Sequence, residues 1–217
     1  MTAVLPTPSI SLEDLKQKLG PAPKLQTLPT GCAALDQALG GGLPRGRLVE
    51  LSGPWSSGKG SLALSAAARV TAARRLCVWV DARGELYPPA AAALGVDLVR
   101  LLVVRPPAGG AARAGEIAAR SGAFPLVVLD LPDGERVEEA AAGRLRAAAT
   151  GSGSIIVALA ARPGALAQAP VKLEVSNMGG VVTVRKGGAA PPGTRVAVAD
   201  RGFAPAPKVG LGRIVLR

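Results

Sequence analysis

Histidine is absent from the 217 residues, which removes His-based acid–base catalysis and imidazole metal sites together. Only two cysteines occur, Cys32 and Cys77. They lack metal-ligand spacing, and Cys77 sits inside the apolar run 76–80, so the sequence predicts buried free thiols with no disulfide, zinc or redox role. Aromatics are scarce too: two Trp, two Phe and one Tyr, too few for a platform on which successive bases of a single strand stack. No run approaches the ~20 apolar residues that span a bilayer. Residues 1–11 carry neither a basic start nor an apolar block, so the expectation is a cytoplasmic protein without membrane contact.

Acidic residues are the other shortage, 15 against 26 basic, for a formal charge of +11. From Ala140 onward eleven basic residues face only Glu174 and Asp200, so +9 of the +11 lies in the last third. Arg162, Lys172, Arg185, Lys186 and Arg195 are the candidate contacts for DNA or another polyanion. A polyanion or acidic-protein partner and a merely solvated basic surface are equally open at this stage. With few aromatics, any DNA contact would be to phosphates and independent of sequence.

What the chain does contain is a phosphate-cradling loop. Residues 53–60 read Gly-Pro-Trp-Ser-Ser-Gly-Lys-Gly. Gly53, Ser56, Ser57, Gly58 and Lys59 stand at P-loop spacing, but Gly60 occupies the place where a Ser or Thr hydroxyl ligates Mg²⁺. Residues 48–51 read as a buried strand leading in and 61–73 as an alanine-rich helix leading out. Ser61 is a poor substitute for the missing hydroxyl, because one step along a helix turns a side chain by ~100°.

Beyond the loop, strand-like and helix-like segments alternate: 76–80, helix 88–94, 101–105, helix 110–121, 126–130, helix 134–149 and 154–160. This pattern predicts an α/β fold, a mainly parallel sheet flanked by crossover helices. Segments 171–176, 180–185, 195–199 and 213–216, separated by Gly/Pro-rich breaks, read as antiparallel strands extending the sheet at its C-terminal edge. Leu126-Val127-Val128-Leu129-Asp130 has the form of a Walker B strand, placing Asp130 near the phosphate site. Upstream, residues 11–20 have a Ser cap, early acids, late lysines and leucines at Leu12, Leu15 and Leu19, which describes a short amphipathic helix. A proline-stiffened linker follows, so the expected organisation is a helix and linker over 1–24 and a core over 25–217. The helix either docks on another molecule or folds back on its own domain.

Residues 29–47, with Pro29-Thr30-Gly31 and Ala34-Leu35-Asp36-Gln37-Ala38-Leu39-Gly40-Gly41-Gly42-Leu43-Pro44, resemble the opening of the RecA recombinase core, and similarity runs over about residues 11 to 205. Within that superfamily the short chain and degenerate site are most similar to the ImuA family, RecA-like partners of ImuB in inducible translesion mutagenesis. The resemblance implies a RecA-like P-loop core. As partners it implies ImuB, an error-prone DNA polymerase, RecA itself, or several of these.

The departures from RecA fall on catalytic positions. The carboxylate that activates water corresponds to Arg83, which removes the proton acceptor and reverses the charge. The adenine-stacking tyrosine corresponds to Ala90, the γ-phosphate-sensing glutamine to Ala161, and the two lysines that reach a neighbour's ATP to Asp200 and Gly202. In RecA two mobile loops carry DNA. Here the second is reduced to about residues 162–170, so a strand-exchange filament is not expected. These losses imply a non-catalytic accessory protein of the DNA-damage response with no required cofactor and at most weak ATP or phosphate binding. Two alternatives stay open: a working repair ATPase with Glu85 as a displaced base, and a nucleotide-independent DNA-binding module.

Overall fold

The protein is described by a computed structural model over residues 26–176 and 180–198. Strands β1 (Thr27–Leu28) and β2 (Leu43–Pro44) pair antiparallel around helix α1 (Ala33–Leu39). The Thr30 N–H and hydroxyl both donate to Asp36 Oδ1 at 2.7 Å, fixing the entry to α1. After α1 the chain turns through glycines. At Gly42, φ is +123° and a Cβ would lie 2.3 Å from the Leu28 carbonyl oxygen, so no other residue fits.

The main sheet comprises β3 (Leu48–Ser52), β4 (Cys77–Asp81), β5 (Leu101–Val104), β6 (Leu126–Asp130), β7 (Ile155–Ala160), β8 (Val171–Val175), β9 (Val181–Lys186) and β10 (Arg195–Ala197). Its spatial order is β10-β9-β8-β3-β7-β6-β4-β5. The six strands from β8 to β5 are parallel, while β9 runs antiparallel to both β8 and β10. The expected α/β architecture is therefore present, with one correction: residues 171–175 form a parallel neighbour of β3, not an antiparallel extension.

Helices α2 (Lys59–Ala72), α3 (Pro88–Ala93), α4 (Ala111–Arg120) and α5 (Glu139–Ser152) complete the layers. Leu62, Ala66, Ala67 and Val70 of α2 pack with Leu35 and Leu39 of α1 on one sheet face. Ala119 of α4 and Leu145 and Ala149 of α5 pack on the other, where Ala165, Leu166 and Ala169 of the segment after β7 join them. Covered on both sides, β3, β4 and β7 are buried throughout, which is why they read as continuous apolar runs rather than alternating ones. Helix α5 begins at Glu139 rather than 134, because the preceding residues form a loop whose Val137 N–H donates to the Ala165 carbonyl at 2.8 Å. Cys32 and Cys77 are buried and free as expected, and burial pushes the Cys77 thiol up to about 12. Among the described residues no helix is long and apolar enough to cross a membrane. The predicted helix with Leu12, Leu15 and Leu19, the 1–24 segment and the predicted strand 213–216 lie outside the described residues.

Glu50 is the one acid inside the central strand and is 1% exposed. Its carboxylate accepts the N–H of Gly164 at 2.9 Å and of Leu166 at 2.7 Å, pinning the segment after β7 to the sheet. Glu50→Ala leaves both N–H groups without their acceptor and is expected to cost roughly 2–4 kcal/mol in urea denaturation, with Glu50→Gln costing less because one acceptor oxygen remains.

Candidate functional site

The P-loop forms where β3 ends. The Gly53 N–H donates to the Ala160 carbonyl at 3.0 Å, and a Cβ on Gly53 would lie 2.6 Å from the Val175 carbonyl oxygen and 2.7 Å from Ser57 Oγ. Only glycine allows that approach. Ser56 (φ 55°) and Gly58 (φ 89°) turn the chain back into α2, whose first N–H groups face the loop. Ser57 is buried and its hydroxyl has no hydrogen-bond partner. Lys59 Nζ donates to the Pro54 carbonyl at 3.1 Å. Its pKa is lowered, by burial first and by Arg83 second, against the raising effect of Asp130, Asp133 and Glu85. A Cβ at Gly60 would meet nothing within 4 Å, so the loop has room for the hydroxyl it lacks.

Arg83 dominates the far side of the loop. Its guanidinium lies over the Trp55 ring, 3.9 Å from the centroid, pairs with Glu85 at 2.7 Å and with Asp133 at 3.2 Å, and its side chain is 8% exposed. Trp55 Nε1 donates to the second Asp133 oxygen at 2.8 Å, closing the cluster. Arg83 and Glu85 stand out in the sequence; Trp55 and Asp133 join them only in the fold. The only signal was an aromatic in a P-loop, where small and polar residues suit close approach to phosphate. Asp81 is buried at the end of β4, accepts the Glu85 and Leu86 N–H groups, and pairs with Arg105 at 3.0 Å.

Asp130, the Walker B candidate, ends β6 with Asp81 as its neighbour in register. Burial is the largest influence on its carboxyl, and with Asp81 and Glu85 it outweighs Arg83 and Lys59, pushing the pKa up to about 6. Of the other predicted losses, Ala90 is exposed on α3, with Tyr87 at its N-cap 66% exposed one turn before it. An aromatic therefore stands near the position, displaced from it. Ala161 and Arg162 line a cleft of about 570 Å³ with Trp55, Asp133 and Arg136. Asp200 and Gly202 lie outside the described residues. Among the described residues no cluster of three or more Cys, Asp or Glu could hold a metal ion.

The candidate polyanion contacts are spread over a loop and three strands. Arg162 follows β7 at the P-loop end of the sheet, whereas Lys172, the second residue of β8, lies level with Glu50 in the middle of β3 and faces Lys186 in register. Arg185 donates to Glu174, so its charge is already paired. Arg195 is exposed at the start of the edge strand β10.

Residues 11–163 match the RecA N-terminal domain. The chain belongs to that family. Over 110 residues it is 49% identical to Protein RecA of Picosynechococcus sp., covering 49% of this chain and 31% of that protein. With Protein RecA of Frankia alni the identity is 46% over 110 residues, 50% of this chain and 32% of that one. The chain thus spans about a third of the length of the curated relatives it matches. The crystal structure of the RadB recombinase superposes with a TM-score of 0.66 at 20% identity, covering 81% of this chain and 98% of that one, which shows a shared fold.

The raised Asp130 carboxyl sets a pH dependence. The fold holds that proton more tightly than the unfolded chain does, so the group favours folding below its ordinary value of 3.8, and the contribution is lost as pH rises through about 6. Asp130→Asn removes this half-buried charge. It is expected to stabilise the protein by about 2 kcal/mol at pH 8, with the gap between variant and parent closing in urea titrations as pH falls from 6 towards 4.

Proposed function

We propose that this chain is a RecA-like accessory protein of the DNA-damage response that does not turn over ATP. Its role is to hold partners, ImuB and an error-prone polymerase or RecA, in the manner of the ImuA family. The observation that carries this reading is Arg83: a guanidinium, stacked on Trp55 and paired with Glu85 and Asp133, stands where the family places its water-activating carboxylate. A cation there cannot accept a proton. The residues present fit a bound phosphate better than a metal–nucleotide pair, since Lys59, the α2 N-terminus and the orphaned Ser57 hydroxyl remain while Gly60 offers no ligand. The working-ATPase alternative needs Glu85 as its base, and that carboxylate is engaged by Arg83 through a 2.7 Å ion pair.

Calorimetric titration with ATP tests the reading. Binding is expected to be weak and indifferent to Mg²⁺, with no phosphate release. Gly60→Thr is sterically free, yet it should not restore turnover while Arg83 stays in place. Mg²⁺-dependent hydrolysis that single-stranded DNA stimulates and Lys59→Ala abolishes would overturn the proposal.

Any DNA binding by this chain would be electrostatic and sequence-independent. Affinity should then fall with salt, with a log–log slope of about −0.7 to −0.9 per phosphate contact. Lys186→Glu should flatten that slope more than Arg185→Glu, because Arg185 is already paired with Glu174. Salt-indifferent binding would assign the positive charge to a solvated surface.

A further inference from the structure

A second charged cluster, sharing no residue with the P-loop cleft, is built on α4 and α5. Glu116 is buried on α4 with a 3% exposed side chain, and three arginines converge on it: Arg113 at 3.3 Å, Arg120 at 3.1 Å and Arg144 of α5 at 3.1 Å. Burial alone would raise its carboxyl, but hydrogen bonds from Arg144 and Arg113 and the charges of Arg120 and Arg113 outweigh burial and lower the pKa. The acid therefore stays ionised and gathers like charges that would otherwise repel.

Each guanidinium directs one nitrogen to Glu116 and is itself more than half exposed. An arginine has five N–H donors, so most of them face outward. Among the described residues no second carboxylate pairs with any of the three. Positions 113, 117 and 120 share one face of the helix, and Ile117 in its middle is 57% exposed. Leu102 on the edge strand β5 is also half exposed. Its neighbour Val104 packs into the core beneath α4, and strand alternation places Leu102 on that same side.

We propose that this face of α4, with Arg144, docks an acidic protein segment that carries an apolar side chain. Planar guanidiniums suit carboxylates in paired hydrogen bonds, and an aliphatic residue set among them gives such a segment an anchor. A nucleic-acid backbone would use the arginines but leave Ile117 without a role, so the exposed isoleucine favours protein over phosphate. The inference is independent of whether the P-loop binds nucleotide.

Fluorescence anisotropy with the full chain tests it, using three probes: a fluorescein-labelled peptide of about a dozen Asp and Glu residues with two central leucines, the same peptide with serines in their place, and a single strand of about twenty nucleotides. The leucine peptide should bind in a salt-sensitive manner and more tightly than the serine peptide. Ile117→Ser should weaken it roughly tenfold, as expected for one aliphatic side chain left unburied, without changing the DNA probe. Arg120→Gln should weaken it several-fold, with circular dichroism confirming the fold. Because Ile117 is exposed, its variant remains informative should Arg120→Gln unfold. Equal binding of the two peptides, no effect of Ile117→Ser, no peptide binding at all, or an Arg120→Gln effect confined to DNA would each overturn the proposal.

Discussion

One side chain, Arg83, ties together three loops at the C-terminal edge of the parallel sheet. Its guanidinium lies on the indole of Trp55 from the P-loop, pairs with Glu85 in its own loop after β4, and reaches Asp133 in the loop after β6. A cation over an aromatic face gains most where water is excluded, and the Arg83 side chain is largely covered. The same charge sets the electrostatics around it. It repels Lys59 and helps lower that lysine's pKa, while Asp130, Asp133 and Glu85 compensate. An arrangement in which the loops hold one another through ion pairs needs no bound nucleotide to order it.

The segment after β7 is fixed by a separate device. Glu50 accepts two backbone N–H groups from it, Val137 donates to Ala165, and Gln168 Nε2 donates to Glu139 Oε1 at 2.8 Å. Leu166 and Ala169 are buried in the core on that face. The short segment has hydrogen bonds and apolar anchors that would have to break before it moved, and opening it would expose the Glu50 carboxylate's partners and the buried Leu166 together. A swing of this segment therefore has a restraint acting against it.

Much of the fold was legible because burial on both faces leaves a plain trace. Cys77 to Val80, Leu126 to Leu129 and Ile155 to Ala160 are contiguous apolar runs, and their alternation with alanine-rich helices admits few topologies. The direction of β8 was not legible. Val171-Lys172-Leu173-Glu174-Val175 alternates buried and half-buried residues, a pattern equally at home in either orientation, and its direction is decided by how residues 161–170 cross the sheet. Helix boundaries shifted for a similar reason: Val137 is held by a backbone bond from another loop, which no local propensity reports. In the site, Lys59 and Asp130 could be placed from the motif pattern, and Arg83 only through the resemblance to RecA. Trp55 and Asp133 could not, since they are 78 residues apart and meet only through the fold.

Pairing removes much of the apparent positive charge. A sequence count treats every arginine alike, but Arg83, Arg105 and Arg185 already face carboxylates, and so do the three around Glu116. Among the described residues Arg162, Lys172, Lys186 and Arg195 make no ion pair, and Arg162 lies past the end of β7 while the two lysines face each other on β8 and β9. A long polyanion would have to reach from the loop after β7 across β8 and β9 to β10 to use all four. Local acidic segments each need only one cluster, and the cluster around Glu116 is held in shape before any partner arrives. Preorganisation of that kind lowers the ordering cost of binding, so among the described residues it is the arginines with a shared buried acid, rather than the region with the greatest net charge, that are best placed to recognise a protein.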